Sequence, residues 1–274
     1  MKKLLFITDL YYEAKGRAYY EEDLYLTSEL RKDFQLVICH PKDTEPFEQI
    51  VDGIVFRNAG PVVEFKEEYA ALRQRMDKFQ LKTYNSLNGK ADMNGKQYLI
   101  ECTNEKFPVI PTVDTLKELN RLPEVDTYIV KPKDGADSIG MTIVSKDDLP
   151  KVVDNHTKDT LIQPCVNFQY EVSFYFIDRE FQYALYALNK SKRWQLKYYN
   201  ATKEDLVFAQ KFIDWNNLNW GIQRVDACRT TDGQLLLVEL EDLNPYLSLL
   251  ELTPEFRHRF VVGMKKSIQN MLQS

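Results

Sequence analysis

The sequence predicts an α/β fold with α+β portions, on three observations. Short apolar runs alternate with amphipathic helical stretches through the first third of the chain. Strand-like alternation then recurs in adjacent pairs around tight turns in the C-terminal half. With 44% hydrophobic and 28% charged residues among 274, the chain is long and apolar enough to bury a sizeable core.

Lys3 to Thr8 is a short apolar run suited to a buried strand. Glu21 to Arg31 sets Leu24, Leu26 and Leu30 among charges, as an amphipathic helix does. Phe34 to Cys39 gives a second strand, closed by His40-Pro41, and Gly53 to Arg57 a third, closed by Asn58-Ala59-Gly60-Pro61. Glu64 to Phe79 returns to helical spacing, with Phe65, Tyr69, Leu72 and Met76 on one face. Strands alternating with helices imply a parallel sheet covered on both faces. Ligands sit at the carboxyl ends of such strands, which would make Asp9 and Arg57 edge residues of a cleft. No GxGxxG follows the first strand, so a dinucleotide fingerprint is absent.

Asn85-Ser86-Leu87-Asn88-Gly89-Lys90 has the composition of a linker. A helix is expected over Gly95 to Asn104, and another beginning near Thr112. Strands are expected at Thr127 to Lys131, Met141 to Ser145 and Leu161 to Gln163, with a short helix from Lys146. Glu171 to Asn189 reads as a hairpin, Lys203 to Asn216 as a helix, and Gly221 to Arg229 with Leu235 to Glu241 as a strand pair about Thr231-Asp232-Gly233. A closing helix runs from Pro254 to about Leu272.

The balance of 36 basic against 41 acidic residues, a formal charge of -5, argues against nucleic acid as a partner. No apolar run reaches the roughly 18 residues of a membrane span. Four widely spaced cysteines fit neither a zinc pattern nor a CxxC motif and read as reduced thiols of a cytoplasmic protein. Three scattered histidines offer no metal site or triad. The sequence leaves a homodimer open.

Three segments carry chemistry. In Tyr128-Ile129-Val130-Lys131-Pro132, a lysine ends an apolar strand beside the loop Lys133 to Met141, which holds Gly135, Ser138 and Gly140. An ammonium and small loop residues suit phosphates; a hairpin with a solvated lysine would look the same. Next, Arg224 and Asp226 share one strand face, as do Glu239 and Glu241 on the neighbouring strand. The Asp232-Gly233 turn brings three carboxylates together beside one arginine. Oxygen donors without Cys or His select Mg²⁺ or Mn²⁺, though alternating charge on a solvated face is the bland reading. Last, Leu161-Ile162-Gln163-Pro164-Cys165-Val166, with Glu171 beyond, can offer backbone groups to a base edge.

Taken together these segments resemble the ATP-grasp superfamily, most closely its glutathione-synthetase-like and D-alanine-ligase-like branches, from about Tyr84 to the end. The resemblance implies two ATP-grasp lobes, 87–165 and 166–274, preceded by a Rossmann-like domain over 1–86. It makes Lys96 and Lys131 phosphate-binding, with Ser138 in the loop that closes over the phosphates. Gln163, Pro164, Cys165 and Val166 become the adenine hinge and Glu171 the ribose acid. Asp226, Glu239 and Glu241 become metal ligands, and Arg224, with Lys131, catalytic. In many relatives the last motif is Glu-x-Asn; here Glu241 stands at the Asn position, and Asn244 follows.

The activity implied is ATP-dependent joining of a small carboxylic acid to an amine through an acyl-phosphate. A small-molecule kinase of the same fold, or a nucleotide-binding protein without ligase activity, are the alternatives. Arg57 is the candidate for a substrate carboxylate, and Tyr11, Tyr12, Tyr19 and Tyr20 could line its pocket or simply pack.

Overall fold

The computed structural model describes residues 1–14, 17–57, 62–134, 140–153, 159–189 and 195–274. The chain opens with β1 (Lys3–Ile7), the short strands β2 (Glu13–Ala14) and β3 (Arg17–Ala18), α1 (Tyr20–Leu30), β4 (Gln35–Cys39), β5 (Gly53–Phe56), α2 (Lys66–Phe79) and β6 (Thr83–Tyr84). Four of these strands form a parallel sheet in the order β4-β1-β5-β6. Leu4, Phe6 and Val55 pack toward α1, whereas Leu5, Ile7, Ile54 and Phe56 pack toward Tyr69, Leu72 and Met76 of α2. Burial on both faces is why these strands read as unbroken apolar runs.

Beyond lie α3 (Tyr98–Asn104), β7 (Thr127–Pro132), β8 (Thr142–Ser145), α4 (Leu149–Val152) and β9 (Thr160–Pro164). The strands make an antiparallel sheet, β8-β7-β9. The helix expected from Thr112 is not formed. Val109 and Val113 instead make single bridges to Leu237 and Ile162, and only a 3-10 helix over Leu116–Arg121 follows. Pro108 and Pro111 favour extended backbone in the residues before them.

The remainder comprises β10 (Phe168–Ile177), β11 (Glu180–Ala187), β12 (Leu196–Tyr198), α5 (Lys203–Asn216), β13 (Ile222–Thr230), β14 (Leu235–Glu241) and α6 (Pro254–Gln273). Its antiparallel sheet runs β12-β11-β10-β13-β14. Val172, Phe174, Phe176, Val225, Ala227 and Leu240 turn one face onto Phe208, Phe212 and Ile213 of α5. Phe260, Met264 and Ile268 of α6 join Tyr175 and Tyr183 of that sheet to Leu4, Phe6 and Leu30 in one core. The parallel sheet and the five-stranded sheet therefore share their apolar packing. Among the described residues no helix is long and apolar enough to cross a membrane.

The stretch read as a linker, 85–90, is instead a clamp. Asn85 is buried, donating from Nδ2 to Ile222 O (2.6 Å) and Asp242 O (2.7 Å) while its Oδ1 accepts the Ile222 N–H (2.7 Å). Gly221, at φ +144°, makes room, since a Cβ there would lie 2.5 Å from Asn85 Cγ.

Candidate active site

Antiparallel pairing of β13 with β14 sets Arg224 opposite Glu241 and Asp226 opposite Glu239. A bulge after Asp226 shifts the register, which lets Leu237 and Leu240 both reach the core while Glu239 and Glu241 keep the other face. On β10, Ser173 lies opposite Asp226 and Tyr175 opposite Arg224. One sheet face thus gathers the arginine and the three carboxylates.

Their charges are met by the chain's own cations. Arg224 donates from Nε to Asp226 Oδ1 (2.9 Å), from Nη2 to Asp226 Oδ2 (2.7 Å) and to Glu241, and from Nη1 to Tyr246 O (2.8 Å). Ser173 Oγ donates to Asp226 Oδ1 (2.6 Å). Lys96, which precedes α3, extends Nζ to Glu239. Burial alone would raise the Glu239 carboxyl, but Lys96 and Lys131 outweigh it and hold the group below the usual range. Lys131, on β7, is pushed down to about 8 by burial, aided by Lys96 and opposed by Glu239. Glu241 is raised to about 8 by burial first, then by Asp226 and Glu239 against the pull of Arg224.

Among the described residues, no three His, Cys, Asp or Glu side chains converge as a metal-holding group; Arg224 and Lys96 stand between the carboxylates. The donors are nevertheless all oxygens of the type that hard divalent cations take. Side-chain rotation away from Arg224 and Lys96 is what Asp226, Glu239 and Glu241 would need to share Mg²⁺ or Mn²⁺.

Gln163 is buried on β9 and donates from Nε2 to Thr112 Oγ1 (2.8 Å). Pro164 ends β9, the Cys165 N–H donates to Thr127 O (3.1 Å), and Val166 is the first residue past that bond. Glu171 shares the face of Ser173 on β10, opposite Cys228. Ser138 lies outside the described residues.

Arg57 corrects the expectation of a substrate contact. It is 1% exposed. Nη2 donates to Glu22 Oε1 (2.9 Å), Nε to Asp23 Oδ1 (3.3 Å) and Nη1 to Pro245 O (3.0 Å). With all three nitrogens engaged inside the protein, it serves packing. Of the tyrosines, Tyr12 and Tyr19 form a chain of rings ending on Tyr246, at centroid spacings of 5.4 and 4.5 Å. Tyr246 is the residue whose carbonyl Arg224 holds, so this aromatic chain reaches the site.

Sequence reasoning missed Asp92, Tyr98, Ser173 and Asp242. Tyr98 Oη accepts the Leu240 N–H (2.7 Å), between the two β14 glutamates. Ser173 was within reach, two residues from Glu171 on a strand.

No family model and no curated protein matches the chain. Solved structures do. D-cycloserine synthetase DcsG is similar over 96% of this chain and 99% of its own, at 19% identity and a TM-score of 0.75. D-alanine–D-alanine ligase from Bacillus anthracis, complexed with ATP, is similar over 100% of this chain and 98% of its own (13% identity, TM-score 0.69). The ATP-grasp ligase PsnB, complexed with a minimal precursor, is similar over 99% of both chains (13% identity, TM-score 0.62). The likeness to these structures over nearly the whole chain shows that it has the ATP-grasp fold.

Proposed function

We propose that the chain is an ATP-dependent ligase that joins a carboxylic acid to an amine through an acyl-phosphate, releasing ADP and phosphate. The observation that carries this reading is the gathering of six charged side chains from three strands and the turn before α3. Arg224 and Asp226 come from β13 and Glu239 and Glu241 from β14, with Lys96 before α3 and Lys131 from β7. Residues 87–165 and 166–274 would grip the nucleotide, and 1–86 would help to hold the acid or amine.

Lys96 and Lys131 neutralise the triphosphate. Asp226, Glu239 and Glu241 would hold Mg²⁺, which when bound supplies positive charge to the phosphate oxygens. The substrate carboxylate attacks the γ-phosphorus and ADP leaves, while Arg224 stabilises charge on the phosphoryl oxygens. The amine then attacks the acyl carbon, loses a proton, and phosphate departs. No side-chain nucleophile is needed. The buried thiols of Cys102 and Cys228 are poor ones in any case, pushed up to about 12 and about 11 by burial and neighbouring glutamates.

The test is ADP release across acid and amine pairs. Turnover should require ATP, a divalent cation, an acid and an amine together. ADP formed from a hydroxyl acceptor alone would instead indicate a kinase, and no turnover despite tight ATP binding a non-catalytic protein.

A further inference from the structure

Asp242 directly follows Glu241 and is fully buried. Among the described residues it pairs with no lysine or arginine. Instead, all four of its polar atoms engage the segment 85–93. Oδ2 accepts the Ala91 N–H (3.0 Å) and Oδ1 the Met93 N–H (2.9 Å). Its own N–H donates to Asp92 Oδ1 (2.6 Å), and its carbonyl accepts from Asn85 Nδ2 (2.7 Å). A buried carboxylate persists only where such donors satisfy it. Gly89 permits the approach, for a Cβ there would sit 2.2 Å from Asp242 Oδ2 and 2.7 Å from Met93 Cε.

From Met93 the chain reaches Lys96 through a tightly bonded turn. Asn94 N–H donates to Ala91 O (3.0 Å), Gly95 N–H to Asp92 O (2.9 Å) and Lys96 N–H to Lys133 O (2.9 Å). Gly95 takes φ +82°, a conformation that favours glycine. Lys96 Nζ then returns to Glu239, three residues before Asp242. Glu239, Asp242, the 91–95 turn and Lys96 thus close a ring of covalent and hydrogen bonds. The same turn is tied through Lys133 to the stem of the loop that follows Lys131.

We infer that Asp242, with Asp92 as its reciprocal partner, is a positioning residue for the lysine that binds phosphate, an inference that rests on the nucleotide reading above. It ties Lys96 to the strand that carries Glu239 and Glu241, so that the ammonium and the carboxylates meet the triphosphate as one unit. A free lysine on a long flexible stem would lose conformational entropy on every binding event. Lys96, its backbone held by the turn and its buried stem held against Glu239, has lost much of it on folding.

A double-mutant cycle tests this, with MgATP affinity of the full chain measured by calorimetry for wild type, Lys96→Met, Asp242→Asn and the double variant. Asparagine at 242 sets an amide N–H against a backbone N–H, which removes one bond and makes the contact repulsive. Asp242→Asn should weaken MgATP by about tenfold or more, yet add less than about twofold on top of Lys96→Met, because nothing remains to be positioned. Losses that multiply, or unchanged affinity in Asp242→Asn, overturn the inference. Should that variant not fold, Asp92→Ala against Asp92→Asn decides. Asparagine keeps the acceptor oxygen and should keep affinity, whereas alanine should lose it, and equal affinities in the pair overturn the inference. A wild-type chain that fails to bind MgATP would remove the nucleotide reading itself, a separate result.

Discussion

The Arg224 guanidinium lies edge-on against Asp226, its neighbour two residues along the same strand face, through Nε at 2.9 Å and Nη2 at 2.7 Å. Nη1 at the same time holds the Tyr246 carbonyl at 2.8 Å. A planar fork can serve these partners at once, and a lysine cannot.

Arg224→Lys should therefore keep a charge in place and lose its geometry. We expect kcat to fall on the order of a hundredfold, comparable to removing one oxyanion donor. ATP affinity by calorimetry should change by less than about tenfold, or about 1.4 kcal/mol. Collapsed affinity with kcat preserved at saturation would make Arg224 a binding residue.

Glu239→Gln should abolish ADP release. The crowding of three carboxylates suggests that neutralising one would also relieve repulsion, but the structure reverses that sign. Glu239 is the partner of the buried Lys96 and lies near Lys131, both cations. Removing its charge should cost about 2 kcal/mol in the absence of nucleotide, below the range for fully buried pairs because Glu239 is partly exposed. Denaturant melts would show it, and a more stable variant would contradict the pairing.

Arg57→Met should behave as a core lesion. Its side chain and those of Glu22 and Asp23 are all but inaccessible to solvent, and breaking a buried ion pair costs about 3–5 kcal/mol. In the fraction that folds, KM for acid and amine should move less than about twofold. A stable variant with a raised KM would restore Arg57 as a substrate contact.

Asp205 gives a pH dependence of known sign. Burial alone would raise its carboxyl, but Arg229, the Thr202 N–H and the Tyr199 hydroxyl hold it below the usual range. A lowered folded-state pKa contributes stability above the unfolded value, about 3.9, and loses it as pH falls through the folded value. Asp205→Asn should melt below wild type at pH 7, and the gap should close as the pH drops under about 4. A gap that stays constant with pH would locate the effect elsewhere.

Period-two spacing is why the shared charged face was legible. Arg224 and Asp226, and Glu239 and Glu241, had to share a face once each pair lay on a strand, and a tight turn had to pair the strands. Arg57 was not legible, because an arginine at a strand end looks the same whether it faces a cleft or two buried acids from a helix. Asn85 misled for a related reason. The amide that suits a loop also suits a buried bridge between two strands, and only tertiary contacts decide. Asp242 went unread because a third acid beside two candidate ligands suggests more of the same, while its partners lie some 150 residues earlier in the chain.

The loop after β14 is fastened from both sides. Arg57 holds Pro245 O (3.0 Å), Glu22 accepts the Leu247 N–H (2.9 Å), and Tyr183 donates to Leu247 O (2.7 Å). The chain therefore cannot be dissected at the composition break near residue 86. A fragment starting there would leave the Leu247 amide without its acceptor Glu22, and the loop that carries Tyr246 held from one side, by Tyr183 and Arg224. It would also strip Leu4, Phe6 and Leu30 from the core that α6 joins. Such a piece should emerge from expression as an aggregate, and supplying residues 1–86 as a separate chain would be the way to bring it back into solution.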